Sequence, residues 1–174
     1  MQIEARAITV AEAVKNLLNA ERIDYTNFPT AGTATQEFLV FERGFVHNYD
    51  VDDLPVAKAT VVPRSNVTRV LNRAGTESDL QIDVVYQHLC RDVTSGVGVW
   101  DNDMWNVEQI RKALQFCGAI ASGTGWTANF YQVSVDPLFH EEHIEQMRVF
   151  TSVVSVDFKV IEIYSPSTTS SSGS

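Results

Sequence analysis

From Phe150 to Val160 the chain is apolar and polar by turns. Phe150, Val154, Val156, Phe158 and Val160 share one parity, while Thr151, Ser155, Asp157 and Lys159 hold the other. Successive side chains of a strand point to opposite faces, so this pattern predicts a long strand with one face on a core and the other towards water or a partner. A second alternation sets Leu80, Ile82, Val84 and Tyr86 against Gln81, Asp83 and Gln87, and predicts a strand over Leu80 to Leu89 near the sheet centre. Trp126 to Val135 alternates as well, but both parities carry large groups: Thr127, Asn129, Tyr131, Val133 and Val135 on one side, Trp126, Ala128, Phe130 and Gln132 on the other. Such a strand either meets a neighbouring subunit with one face or is buried on both faces within its own chain.

Weaker strand signals come earlier. Glu37 to Val46 reads as a first strand, and Lys58 to Val62 as a second, ended by Pro63, which has no N–H for a ladder. Val67 to Asn72 is a short strand or an extension of the one before. Residues 73 to 79 form a hairpin-type connection in which Gly75 supplies a positive φ. The turn-rich residues 24 to 36 and the acidic stretch His47 to Pro55 read as surface connections.

Helical spacing occurs twice. Val10, Ala13, Val14, Leu17 and Leu18 make one stripe, and Thr9 with Glu12 forms a capping box, which predicts a cover helix from Val10 to Ala20. Trp105, Ile110, Ala113, Leu114, Cys117 and Ile120 make the stripe of a second helix from Met104 to Ala121, with Asp103 as N-cap and Gly123 or Gly125 as terminator. Between Asp136 and Arg148 a polar-aromatic lead-in with a short helical turn enters the last strand. Most strand-to-strand links are too short for a parallel crossover. The expected class is therefore α+β, an antiparallel or mixed β-sheet with two helices packed on one face. Residues 1–164 read as a single domain, and 165–174 as a disordered tail rich in Ser and Thr.

With 174 residues, 44% of them hydrophobic, the chain is long enough for an ordinary core. Lys and Arg number 13 against 22 Asp and Glu, a net charge of −9. That field repels phosphate backbones and argues against a protein that grips nucleic acid. Cys90 and Cys117 are far apart and form no metal or redox pair, so both are expected as buried thiols in a reducing cytoplasm. No apolar run has the length of a signal peptide or a membrane span.

Candidate chemistry is thin. His140 and His143 flank Glu141 and Glu142 and would lie one turn apart on a helix, but the spacing is not that of HExxH, and His47 and His88 belong to other segments. The Gly-Ser cluster around Cys117 lacks the nucleophile-elbow pattern, and Gly123-Thr124-Gly125 follows a helix where a nucleotide loop would follow a strand. Asp50, Asp52 and Asp53 lack the closing glutamate of a calcium loop. The reading is a protein with no catalytic residue, metal or cofactor. Trp100 and Trp105 flank Asp101 and Asp103; Trp105 falls in the helix stripe, which leaves Trp100 for an interface.

Several blocks together resemble a family of small tailed-phage virion proteins that join head to tail: Glu42-Arg43, Asp52-Asp53-Leu54, Thr60 to Arg64, Ile82-Asp83-Val84, and then Pro137, Glu142-His143-Ile144, Arg148 and Phe150 to Val153. The likeness covers about two thirds of the chain and departs from the family pattern over residues 90 to 135. The resemblance implies a tail terminator or tail-completion protein: a tail-terminator-like fold, a hexameric ring of identical copies, tail-tube and neck or connector proteins as partners, DNA passing through the lumen without specific binding, and a place in the virion. A head-completion or stopper protein of the same neighbourhood is the alternative, and a small metal-dependent enzyme on His140 and His143 is the rival of another class. Arg43, Trp100, Phe139 and Arg148 are the expected interface residues.

Overall fold

The computed structural model describes residues 5–25, 37–45, 49–72, 74–90 and 99–163, with the backbone alone at 99. The chain runs helix α1 (Arg6–Glu21), strand β1 (Val40–Arg43), a 3-10 turn (Val51–Asp53), strands β2 (Lys58–Asn72) and β3 (Gly75–Leu89), helix α2 (Val99–Gln115), strands β4 (Ala119–Gly123) and β5 (Trp126–Val135), helix α3 (Glu141–Met147) and strand β6 (Val149–Ile163). The strands form one sheet in the order β1-β2-β3-β6-β5-β4. β1 runs parallel to β2 and every other pair is antiparallel, so the sheet is mixed and the class is α+β.

At its centre β3 and β6 pair over 15 residues without a register shift, from Gly75 opposite Ile163 to Leu89 opposite Val149. Their shared parity, Leu80, Ile82, Val84 and Tyr86 with Val154, Val156, Phe158 and Val160, is the buried face. Val10, Val14 and Leu18 of α1 and Val107, Ile110 and Leu114 of α2 close over it. Each such aliphatic side chain contributes roughly 1.5–3 kcal/mol by leaving water. The sheet curls enough for α1 to touch both outermost strands, β1 and β4.

Several boundaries differ from expectation, each for a local reason. Helix α1 starts at Arg6, capped by Ala5 without a side-chain bond, so Thr9 and Glu12 lie inside it. Its first turn is held instead by the Arg6 guanidinium, 2.8 Å from Glu162 and 4.5 Å from the centre of the Trp126 ring. β1 is only Val40–Arg43. β2 does not stop at Pro63. The last β1 partner is Val61, so Pro63 stands on the edge strand just past that ladder, and a register shift follows at once, two settings in which a sheet accepts proline.

Gly75 does not supply a positive φ; Gly118 and Gly125 do. Gly75 is needed for proximity, since a Cβ there would sit 2.7 Å from the carbonyl oxygen of Glu162. Helix α2 ends at Gln115, and the left-handed Gly118 (φ 60°) diverts the chain into β4, so Ile120 reaches the core from a strand, Gly123 ends β4 and Gly125 lies in the β4–β5 turn. Asp103 is no cap: it lies inside α2 and is fully buried. Where two helices were expected, the described residues hold three, the third being α3.

The two-sided character of β5 has a simple origin. Phe130 pairs with Phe158 and Gln132 with Asp157, leaving Tyr131 as an extra residue in a bulge. Parity flips there, so Trp126, Ala128, Phe130, Val133 and Val135 all reach the core. The expected tail from Ser165 and most of the loop over 24–36 lie outside the described residues.

Candidate assembly surface

β1 pairs with β2 only as far as Val61, although β2 continues to Asn72. From Arg64 to Asn72 every side chain is exposed, whichever face it points to. The inner edge of this distal half is laid against β3, with Thr68 and Ser78 hydroxyls 2.9 Å apart. Among the described residues nothing pairs with its outer edge. It carries Val67, Val70 and Leu71, exposed by 53%, 79% and 53%. A long edge strand with apolar side chains is a template for another chain, and proteins usually disable it with short length, proline, bulges or inward charges. Here the proline and the first bulge stand only at its beginning.

The opposite edge is β4, whose exposed positions are small and uncharged: Ala119, Ser122 and Gly123. Beside it lies a shallow groove of about 400 Å³, lined by Gly123, Gly125, Thr127, Asn129, Ile161 and Ile163. Between the two edges the sheet face away from α1 and α2 carries a polar grid. Asp83 accepts from Arg64 (2.8 Å), Gln81 (3.1 Å) and Ser155 (2.7 Å). Lys159 donates to Glu77 (2.8 Å) and Asp79 (3.1 Å), which raise its pKa, and stands 4.9 Å from the Tyr131 ring centre. Arg69 is 3.2 Å from Asp79.

Of the four expected interface residues, the structure brings together two. Trp100 and Phe139 meet edge to face at 5.9 Å, and Phe139 lies 6.3 Å from Phe150, so both rings pack half-buried against the core. The indole Nε1 of Trp100 is buried and has no hydrogen-bond partner among the described residues. Arg43 is committed within the chain, donating to Glu12 (3.2 Å) and standing 5.7 Å from the Phe45 ring. Arg148 alone keeps an exposed side chain; its backbone is left-handed (φ 59°) where α3 ends, and its carbonyl accepts from the Cys90 amide at 2.7 Å. Val67, Val70 and Leu71 were missed by sequence reasoning. The available signal was an apolar residue on each parity of a short strand rich in polar groups.

The densest cluster of chemically capable side chains is buried under α2. Asp103 accepts from the Tyr86 hydroxyl (2.6 Å) and faces His88 Nδ1 (2.9 Å), with the Cys90 sulfur 3.8 Å from its other oxygen. Asn106 donates to the Tyr86 oxygen (3.2 Å) and Asn102 to the Tyr25 carbonyl (2.6 Å). Burial first, and then Asp103, pushes the Tyr86 hydroxyl well above its ordinary range and the Cys90 thiol up to about 11. A thiol held protonated at neutral pH is a poor nucleophile, so the triangle of acid, imidazole and sulfur acts as a clasp between α2 and β3.

His140 and His143 stack at 4.9 Å, and His143 Nδ1 is 3.0 Å from the Thr151 hydroxyl. Burial, then His140, lowers the His143 pKa. Among the described residues no three His, Cys, Asp or Glu side chains converge as a metal site. No helix among them is long and apolar enough to cross a membrane. No protein-family model matches the sequence, and no curated protein matches it.

Proposed function

We propose that this chain is a structural virion protein of a tailed phage, a tail-terminator-like subunit that closes with its copies into a hexameric ring between tail tube and neck. The observation that carries the reading is the distal half of β2: nine exposed residues with an open outer edge, on a sheet whose other edge, β4, is chemically different. A ring needs two unlike, complementary flanks, because a head-to-tail contact repeated about an axis closes without using the same patch twice. The net charge of −9 suits a lumen through which DNA must slide, since an acidic wall does not hold phosphates. The partners are the tail-tube protein on one side and a connector protein on the other, and DNA passes through the ring unread.

Light scattering on the purified chain is expected to give a discrete ring mass, and cryo-microscopy of the particle to place it where tube meets neck. Co-purification with the tube protein supports a terminator; retention by the portal or its adaptor alone assigns the chain to the stopper position. A solitary copy in the intact particle, or turnover of a substrate, overturns the proposal.

A further inference from the structure

Resting on that ring reading, we infer that the distal half of β2 in one copy adds to the β4 edge of the next, continuing the sheet from subunit to subunit, with Val67 and Leu71 beside the groove next to β4. Strand addition needs a free backbone edge on each partner. Among the described residues the sheet has three edge segments, the four residues of β1, β2 beyond Pro63 and the five residues of β4, and the last two are the longer ones.

Their side chains fit one another. The β2 edge is bulky and cationic, with Val67, Val70, Leu71, Arg64 and Arg69 and no acidic residue from 64 to 72. Pairing this edge with its own copy would set Val67, Val70 and Leu71 of one copy against the same bulky side chains of the other and gather four arginines whose partners, Asp83 and Asp79, are already engaged within each copy. β4 has no charge from Ala119 to Gly123, and its small residues leave room for a neighbour's valines. The register carries the match further. Val67 lies in one cross-strand row with Asp79, Lys159 and Asn129, so its side chain is on the same sheet face as Asn129, Ile161 and the glycine-floored groove. Ile161 and Ile163, 37% and 64% exposed, are apolar surface that such a neighbour would cover.

The test is directed cross-linking in the full chain with Cys117→Ser, whose remaining native thiol, Cys90, is buried. Val67→Cys and Ser122→Cys are made singly and together, all at exposed positions, and each protein is sized in solution before oxidation. Paired pairing predicts a non-reducing gel ladder from dimer up to the full ring only in the double variant. Rings of native mass without any such ladder overturn the β2–β4 assignment and leave the ring reading standing. A dimer locked by Val67→Cys alone replaces it with a two-fold β2 contact. A parent chain that stays monomeric at every concentration overturns the ring reading itself, and this inference with it.

Discussion

The Tyr86 hydroxyl donates to the Asp103 carboxylate at 2.6 Å inside the core, and this bond fastens the central strand β3 to helix α2. Asp103→Ala strips Tyr86 and His88 of their shared partner, and each buried polar group left unsatisfied costs about 1–3 kcal/mol, so the two together cost more than either alone. Tyr86→Phe keeps the ring against Phe150 and removes one donor, for a loss of about 1–3 kcal/mol. Urea denaturation of both variants is expected to rank them in that order; equal midpoints would show that the clasp does not bear on stability.

Alkaline pH provides a second probe of the same region. Tyr86 is held well above the ordinary tyrosine value of 10.0 by burial and by Asp103, and Tyr25 is raised to about 12 by burial and by Glu37, to which it donates. A folded-state pKa above the unfolded one favours the native state fully below pH 10.0, and that advantage is lost as pH climbs past 10.0 towards the folded values. The thermal midpoint is therefore expected to hold through neutral pH and to fall above pH 10.0, with a shallower fall in Tyr86→Phe. A smaller tyrosinate rise near pH 10.0 in folded Tyr86→Phe or Tyr25→Phe than in the folded parent would contradict the burial of these groups.

Gly75→Ala tests whether proximity or backbone freedom explains this glycine. The new methyl would sit 2.7 Å from the Glu162 carbonyl oxygen in the adjacent strand, so β3 and β6 must part at that end. A loss of about 1–3 kcal/mol is expected from forced repacking, read by chemical denaturation. A neutral result would mean that the strands give way without cost.

Deletion of Tyr131 is expected to be tolerated. This residue is the extra one in β5, and removing it restores plain alternation, with Phe130 and Val133 still inward. The loss is then limited to the contact between Lys159 and the Tyr131 ring, about 0.5–1 kcal/mol. Deletion of Val156 from β6, which pairs with β3 without a shift, instead turns Asp157 and Lys159 inward and Phe158 and Val160 outward and should unfold the chain. Circular dichroism with thermal melting distinguishes the two outcomes.

The strands with period two were readable in the chain because their pattern is local. Trp126 to Val135 matches β5 end to end, and the buried parity of β6 is the one that Phe150, Val154, Val156, Phe158 and Val160 set out. The end of α2 was not readable, since Cys117 and Ile120 continue its spacing and only the left-handed Gly118 breaks it. Asp103 looks like a cap in isolation; it is buried because Tyr86 and His88 arrive from β3 to receive it. The assembly surface was hidden for a related reason: whether Arg64 to Asn72 is covered depends on where β1 stops, and four residues of β1 carry no trace of that in the β2 sequence itself.

The brevity of β1 therefore acts as a length gauge for sociability. Its 4 residues sheathe the root of a 15-residue neighbour and leave the remainder bare. Splicing in a few more ladder-forming residues after Arg43 would insulate that bare stretch from other molecules, and on the ring reading proposed above it would yield a solitary version of the protein.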